Sequence, residues 1–282
     1  MLVSPTALYA LLLLAVPLIA IVVISFLTQT GVRDFAPGLS LVNYKEALSD
    51  PLYRELMLRS LMVSGSVTVV TVLLAFPIAY FVSFGVKPEQ KSLWIFLITI
   101  PFWTSYLIRV FLWKVILGYN GVLNSGLKLV GIIDEPLTFI LYNVNAVIIT
   151  LAHAYAPFAI LPIFVALEKI DRSYLEASRD LGESRTMTFL RVTLPLAAPG
   201  VVAAVLIVFI PTIGDYVTPK LVGGPGGTMI ANMIQTQFLR LNNAPLGATL
   251  AVLAMLIVAV IAIVFLIVGY RAAGGGKKGG RG

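Results

Sequence analysis

The sequence predicts an all-α membrane protein with six transmembrane helices, and three observations carry that expectation. Hydrophobic residues make up 59% of the 282-residue chain and charged residues only 12%, about half the roughly 25% of an ordinary soluble domain. The mean hydropathy is +0.97. The apolar residues also gather into runs of about 20 or more, the length a helix needs to cross roughly 30 Å of hydrocarbon. Six runs qualify, at 7–28, 57–84, 93–117, 138–166, 196–218 and 246–270, and nothing between them is long enough for a soluble domain.

The first run has no basic residue before it and no small-residue cleavage site after it, so it reads as a retained helix and not a secretion signal. Pro77, Pro101, Pro157, Pro162 and Pro211 lie within or near later runs. Neighbouring helices can resatisfy the carbonyls they free, and the kinks suit helices that rock. Turn formers gather after runs one, three and five, at 31–38, 118–126 and 223–227, and predict ordered caps. Residues 271–282 are rich in Gly and Lys without apolar periodicity, which predicts a flexible tail beyond a membrane domain of 1–270.

Positive residues concentrate in cytoplasmic loops. With both termini inside, the inner segments hold eleven Lys and Arg, the outer loops six (Arg33, Lys45, Arg54, Lys128, Lys220 and Arg240), and three more, Arg59, Arg109 and Lys114, fall within runs. The last three lie toward the outer ends of their runs, where long side chains snorkel to the headgroups. Run one breaks the rule locally, with Arg33 just after it; later loops set its direction, or the natural chain begins before Met1.

Several chemistries are excluded or disfavoured. Without cysteine there is no disulfide or thiolate metal site, and the lone His153 rules out a multi-histidine one, so neither a metal site nor a catalytic residue is expected. The net charge of +7 is scattered between apolar runs, which does not make a nucleic-acid-binding face. The glycine-rich 223–227 lacks the Gly-Lys-Ser/Thr ending of a phosphate cradle, as does the rest of the chain, so the protein is no ATPase itself.

The long loop between runs four and five, 167–193, holds five basic and five acidic residues, a neutral, densely charged composition suited to protein contact. Ser173 and Glu176 have the spacing of a capping box, predicting a short helix through Leu181 that Gly182 ends in the left-handed conformation. A second short helix follows from about Ser184, and Pro195 opens run five. Leu175, Leu181, Met187, Phe189 and Leu190 supply an apolar face for a partner's groove.

This loop carries Glu176-Ala177-Ser178, three residues, Gly182, nine residues, then Val192-Thr193-Leu194-Pro195. The pattern resembles the E-A-A, x3, G, x9, I-x-L-P signature of ABC importer permeases, with Ser178 and Val192 as small or apolar departures. The resemblance implies a type I importer permease fold in which loop 167–195 is the coupling loop. Tyr174, Leu175, Glu176, Ala177, Ser178, Asp180, Leu181 and Gly182 would dock on the ATP-binding subunit. It further implies a pair of ATP-binding cassette subunits that hold ATP and Mg, a second, distinct permease, an extracytoplasmic solute-binding protein, and residence in a bacterial inner membrane. No cofactor is expected on this chain and no nucleic acid among its partners. Two further stretches, Pro101-Phe-Trp-Thr-Ser-Tyr-Leu-Ile-Arg109 continuing through 115–124, and Gly214-Asp-Tyr-Val-Thr-Pro219 with 221–225, resemble the spermidine and putrescine branch. Relatives on the same scaffold carry 4-aminobutyrate, phosphonates, thiamine or ferric iron.

One acidic residue, Asp215, falls inside a run. A carboxylate in a span is costly and invites a functional reading. Tyr216, Trp103 and Tyr106 could surround it with rings, an arrangement suited to an organic cation. The alternative is that Asp215 pairs with Arg109 or Lys114 and is structural. His153 and Tyr155 read more simply as a hydrogen-bonded part of the bundle than as a proton relay. An ion-coupled carrier would usually show inverted repeats and several intramembrane carboxylates; an intramembrane hydrolase would need a nucleophile beside a base. The chain offers neither pattern.

Overall fold

The computed structural model of the chain describes residues 4–31 and 34–274. Arg33 and residues 275–282 of the expected flexible tail lie outside the described residues.

In a bilayer the backbone must satisfy its own hydrogen bonds, so apolar runs become helices. In chain order these are α1 (Ser4–Ser25), a two-stranded antiparallel hairpin of β1 (Thr28–Gly31) and β2 (Asp34–Ala36), then α2 (Val42–Ser49) and α3 (Pro51–Tyr80). The hairpin is a small departure from an all-α chain. The second span begins earlier than expected, at Pro51, and a widened π turn, Phe81–Gly85, extends α3 at its other end, so the span runs 35 residues. Next come α4 (Pro88–Thr99) with a tight 3₁₀ extension Ile100–Trp103, α5 (Tyr106–Ile116), α6 (Val122–Leu129) and α7 (Val144–Glu168). They are followed by α8 (Arg172–Asp180), α9 (Arg185–Thr188), a second π turn Phe189–Thr193, α10 (Leu194–Ile213), α11 (Val217–Val222), α12 (Ile230–Leu239) and α13 (Ala244–Gly274).

Among the described residues four helical segments are long and apolar enough to cross a membrane, Pro51–Gly85, Val144–Glu168, Arg185–Ile213 and Ala244–Gly269. The expected third span, 93–117, is not one rod: α4 with its extension and α5 meet at 87°, making a fifth crossing if the two arms are taken together. The cause is local. Pro101 has no N–H to donate, and Thr104 and Ser105 adopt extended backbone, so the ladder stops and restarts. Of α1, the apolar stretch Leu11–Ser25 is shorter than a full crossing. The fourth span begins at Val144 and not near 138, because the Asn143 side chain accepts from the amides of Asn145 and Ala146 and caps it there. The fifth is continuous from Arg185, so Pro195 sits inside a crossing instead of opening one. Residues 271–274 of the expected tail belong to α13.

The chain divides into two units, 1–61 with 228–259 and 62–227 with 260–282. In the first, buried polar groups tie the elements: Asn43 Nδ2 donates to the carbonyls of Ser25 and Leu27 at 3.2 and 2.7 Å, Thr249 Oγ1 to that of Ser25 at 3.0 Å, and the Ile230 amide to Ser60 Oγ at 2.8 Å. The second is built on α7 against α10, with Leu151, Ile163, Ala204 and Val208 fully buried. Gly200 is the point of closest approach, since a Cβ there would lie 2.4 Å from Ala166 Cβ and 2.5 Å from the Pro162 carbonyl oxygen. Lys91 and Glu168 close this unit with an ion pair at 2.6 Å.

Candidate functional site

Two places gather the residues the sequence singles out, and both lie in the second unit. The first is loop 167–195. Its helix α8 is opened by Asp171, whose carboxylate accepts from the Ser173 amide at 3.0 Å. This corrects the expected capping box: Ser173 lies inside the helix, because Asp171 is a competent cap two residues earlier. The same amide holds the Asp171 carboxyl below its ordinary range. At the other end Gly182 takes φ +85°. Its amide donates to the Arg179 carbonyl at 2.8 Å and that of Glu183 to Ser178 at 3.2 Å, the paired closure that satisfies a helix's last carbonyls.

Ser184 caps α9 by accepting from the Met187 amide at 3.2 Å. Ser178 Oγ, at one departure from the importer signature, meets Thr188 Oγ1 at 3.1 Å in a buried contact that staples α8 to α9. An Arg191–Glu183 ion pair at 2.5 Å braces the same joint. Tyr174, Glu176, Ala177, Asp180 and Gly182 are exposed, and Leu181 is 85% exposed. The expected apolar face is thinner than its composition. Leu175, Met187 and Phe189 are half-buried, with Phe189 edge-on to Phe76 and Tyr80, so Leu181 and Leu190 remain exposed of the five. A groove of about 370 Å³ runs between Tyr174, Ala177, Leu181, Arg191 and Val192.

The second place is Asp215. Run five does not reach it as a helix: α10 stops at Ile213, and Asp215 sits in the break before α11, 8% exposed. One carboxylate oxygen, Oδ1, accepts from the amides of Val217 at 2.9 Å and Thr218 at 3.4 Å, capping α11. The other, Oδ2, accepts from the Tyr106 hydroxyl at 2.5 Å, and that hydroxyl also meets Thr218 Oγ1 at 2.6 Å. Tyr106 is thus brought to Asp215. Trp103 is not; it is 80% exposed and packs edge-on against Phe96, on the far side of the bend. Tyr216 is exposed. Thr218 was missed as a site residue, since its hydroxyl meets Tyr106, 112 residues away in sequence, and no local pattern signals that contact.

Neither Arg109 nor Lys114 pairs with Asp215, so the expected ion pair is not formed; the carboxylate is held by the Tyr106 hydroxyl and the α11 amides instead. Arg109 does not snorkel either. It is 9% exposed, its Nε and Nη1 have no acceptor, and its guanidinium lies 6.0 Å from the Tyr106 ring centre. Lys114 lies over Phe111 at 5.7 Å, and Arg59 is paired with Glu55 one turn away. His153 Nδ1 accepts from Trp113 Nε1 at 3.1 Å, a bond that fills the ring's acceptor and places any neutral proton on Nε2.

Comparison with known proteins places this geometry. A family model described as "binding-protein-dependent transport system inner membrane component" matches residues 6–273. The spermidine/putrescine transport system permease protein PotB of Haemophilus influenzae is 37% identical over 257 residues, 91% of this chain and 87% of the relative. The protein of the same name from Escherichia coli is 35% identical, covering 88% of this chain and 90% of its own. The inner membrane ABC transporter permease protein YdcU of Escherichia coli is 32% identical over 79% of this chain and 74% of its own. Among solved structures, a bacterial ABC transporter that imports the acidic polysaccharide alginate matches with a TM-score of 0.72 at 17% identity, covering 95% of this chain and 93% of that one.

Proposed function

The chain belongs to the family of binding-protein-dependent transport system inner membrane components and is a multi-pass permease subunit of an ABC importer, and from that footing we propose that its cargo is a polyamine such as putrescine or spermidine. The observation that carries the cargo is the 35–37% identity, across about nine-tenths of the chain, to permeases named for those two amines. The chemistry of the site agrees with it. A single buried carboxylate beside a phenol and further rings suits an alkylammonium through ionic and cation-π attraction.

In this reading Asp215 meets the passing ammonium group, Tyr106 holds the carboxylate in place, and Tyr216 lies beside it, while Trp103, across the bend, could meet the cargo only at another point of the route. Loop 167–195 faces the cytoplasm, as do both termini. The exposed stretch from Tyr174 to Gly182 seats on an ATP-binding cassette subunit, which holds ATP and Mg and performs the hydrolysis. A second, distinct permease completes the pathway and a solute-binding protein outside delivers the amine; one of the matched solved structures is of the alginate transporter with its substrate-bound periplasmic protein.

The test is ATP hydrolysis by the whole importer, reconstituted with its ATPase pair, sister permease and binding protein, across putrescine, spermidine, 4-aminobutyrate, a phosphonate, thiamine and ferric iron. Stimulation confined to the two amines is expected. Stimulation by another solute alone overturns the polyamine assignment and leaves the permease in place.

A further inference from the structure

Among the described residues, Arg109 and Asp215 are the only buried charged ones. They share one unit, and Tyr106 links them: its hydroxyl holds Asp215 while its ring lies beneath the Arg109 guanidinium. Tyr106 and Arg109 are three residues apart on α5, hence on one helix face. Tyr155 of α7 lies within electrostatic reach of both charges. Yet no ion pair joins them, and two guanidinium nitrogens are left without an acceptor.

A guanidinium taken out of water without a partner is heavily penalised, so a buried arginine is ordinarily held by an acid or by carbonyls. Such a group is satisfied only by a partner, and the described residues offer Arg109 Nε and Nη1 none in this arrangement. Among the described residues the other buried charge is the Asp215 carboxylate, on the far side of the Tyr106 ring from the guanidinium, and the arginine stem has several rotatable bonds.

We propose that Arg109 is the cargo-ejecting counter-ion of Asp215: the two are apart while the carboxylate accepts an organic cation, and they pair when the cation is released. The inference rests on the reading of Asp215 as the cargo contact. In the separated arrangement Asp215 Oδ2 is held by the neutral Tyr106 hydroxyl, which keeps the negative charge available to an ammonium group. When the guanidinium replaces that hydroxyl the charge is cancelled, and a bound ammonium loses its anchor to an internal competitor. Arg109 is therefore a positioning residue for release, acting through Asp215.

The experiment is putrescine uptake by proteoliposomes holding the whole importer, with KM and kcat measured for Arg109→Met, Arg109→Lys, Asp215→Asn and the Arg109→Met/Asp215→Asn double variant. Removing the competitor should lower KM about tenfold and lower kcat with it, since the cation leaves slowly. Arg109→Lys keeps the charge and should stay within about twofold of the parent. In the Asp215→Asn background the fall in KM should vanish. A KM that rises or stands still in Arg109→Met, or that falls equally without the carboxylate, overturns the proposal; a purely structural arginine gives the former. Should Arg109→Met not assemble, Arg109→Gln decides by the same split. If Asp215→Asn alone leaves KM unchanged, the cargo reading itself has failed. If Asp215→Asn raises KM while Arg109→Met does not lower it, the cargo reading stands and the counter-ion is refuted.

Discussion

Adding one methyl group at Gly200 should damage both the stability of the second unit and its response to cargo. An Ala Cβ there lands 2.4 Å from Ala166 Cβ and 2.5 Å from the Pro162 carbonyl oxygen, against about 3.5–4.0 Å for an unstrained carbon contact. Neither obstacle is a side chain that can rotate away, so α7 and α10 must separate by about 1 Å or more. Overpacking of this kind costs about 1–3 kcal/mol, and two rigid clashes put Gly200→Ala near the top of that range. Removing the Ala166 methyl clears one clash and leaves the carbonyl, so Ala166→Gly in the same chain should return about half of the loss. Unfolding of the purified chain in mixed micelles by added SDS reads the energies. Because the helix is continuous from Arg185 to Ile213, displacing it at Gly200 also disturbs the link between loop 167–195 and Asp215. Cargo-stimulated ATP hydrolysis should fall while unstimulated hydrolysis persists. A Gly200→Ala chain within about 0.5 kcal/mol of the parent, the range of an ordinary surface change, would refute the packing argument.

Gly182→Ala forces a side chain into the left-handed region and should cost about 1–2 kcal/mol, with Gly182→Asn costing less; amide exchange at Leu181, Gly182 and Glu183 reports whether the α8 closure frays. Asp171 has its folded pKa depressed by the Ser173 amide, so its contribution is full above the unfolded value of about 4 and is lost as pH falls through the folded value. Protection of the Ser173 amide, corrected for intrinsic exchange, should therefore be flat from about pH 5 to 8 and fall below about pH 4, and Asp171→Asn should abolish that step. Tyr106→Phe removes the hydroxyl from Asp215 and Thr218 without changing the ring, and should destabilise by about 1.5–3 kcal/mol, as expected for a bond to a charged group. A double-mutant cycle with Asp215→Asn should recover most of that as coupling.

What could be read from the residues was what local chemistry decides. Gly182 was legible because a left-handed helix end makes a demand that glycine meets best, and long apolar runs locate α3, α7, α10 and α13 whatever packs on them. The bend between Trp103 and Tyr106 was not, because hydropathy is continuous across it and only Pro101 and the Thr104–Ser105 pair hint at a break. The start of α8 was misread by two residues because Asp171 and Ser173 are equally good caps in isolation. Arg109 was assigned to the headgroups from its distance along a run; its burial depends on α7 and α11, which no one-dimensional pattern reports. Asp215 was singled out because it is an acid within an apolar run, and among the described acidic residues it is the buried one. Its double duty as helix cap and phenol acceptor follows from a break in α10 that sequence alone placed inside a span.

The right-angle corner at Trp103–Tyr106 also bears on how the polypeptide is made. A straight apolar helix can leave the insertion machinery sideways into lipid, since all its peptide groups are already paired. At the break between α4 and α5 the Thr104 amide donates to the Pro101 carbonyl and the Ser105 carbonyl accepts from the Arg109 amide, but the Thr104 carbonyl and the Ser105 amide fall between the two helical ladders, and hydrocarbon offers those two groups nothing. Protein or water must face the corner before the chain is at rest in the membrane.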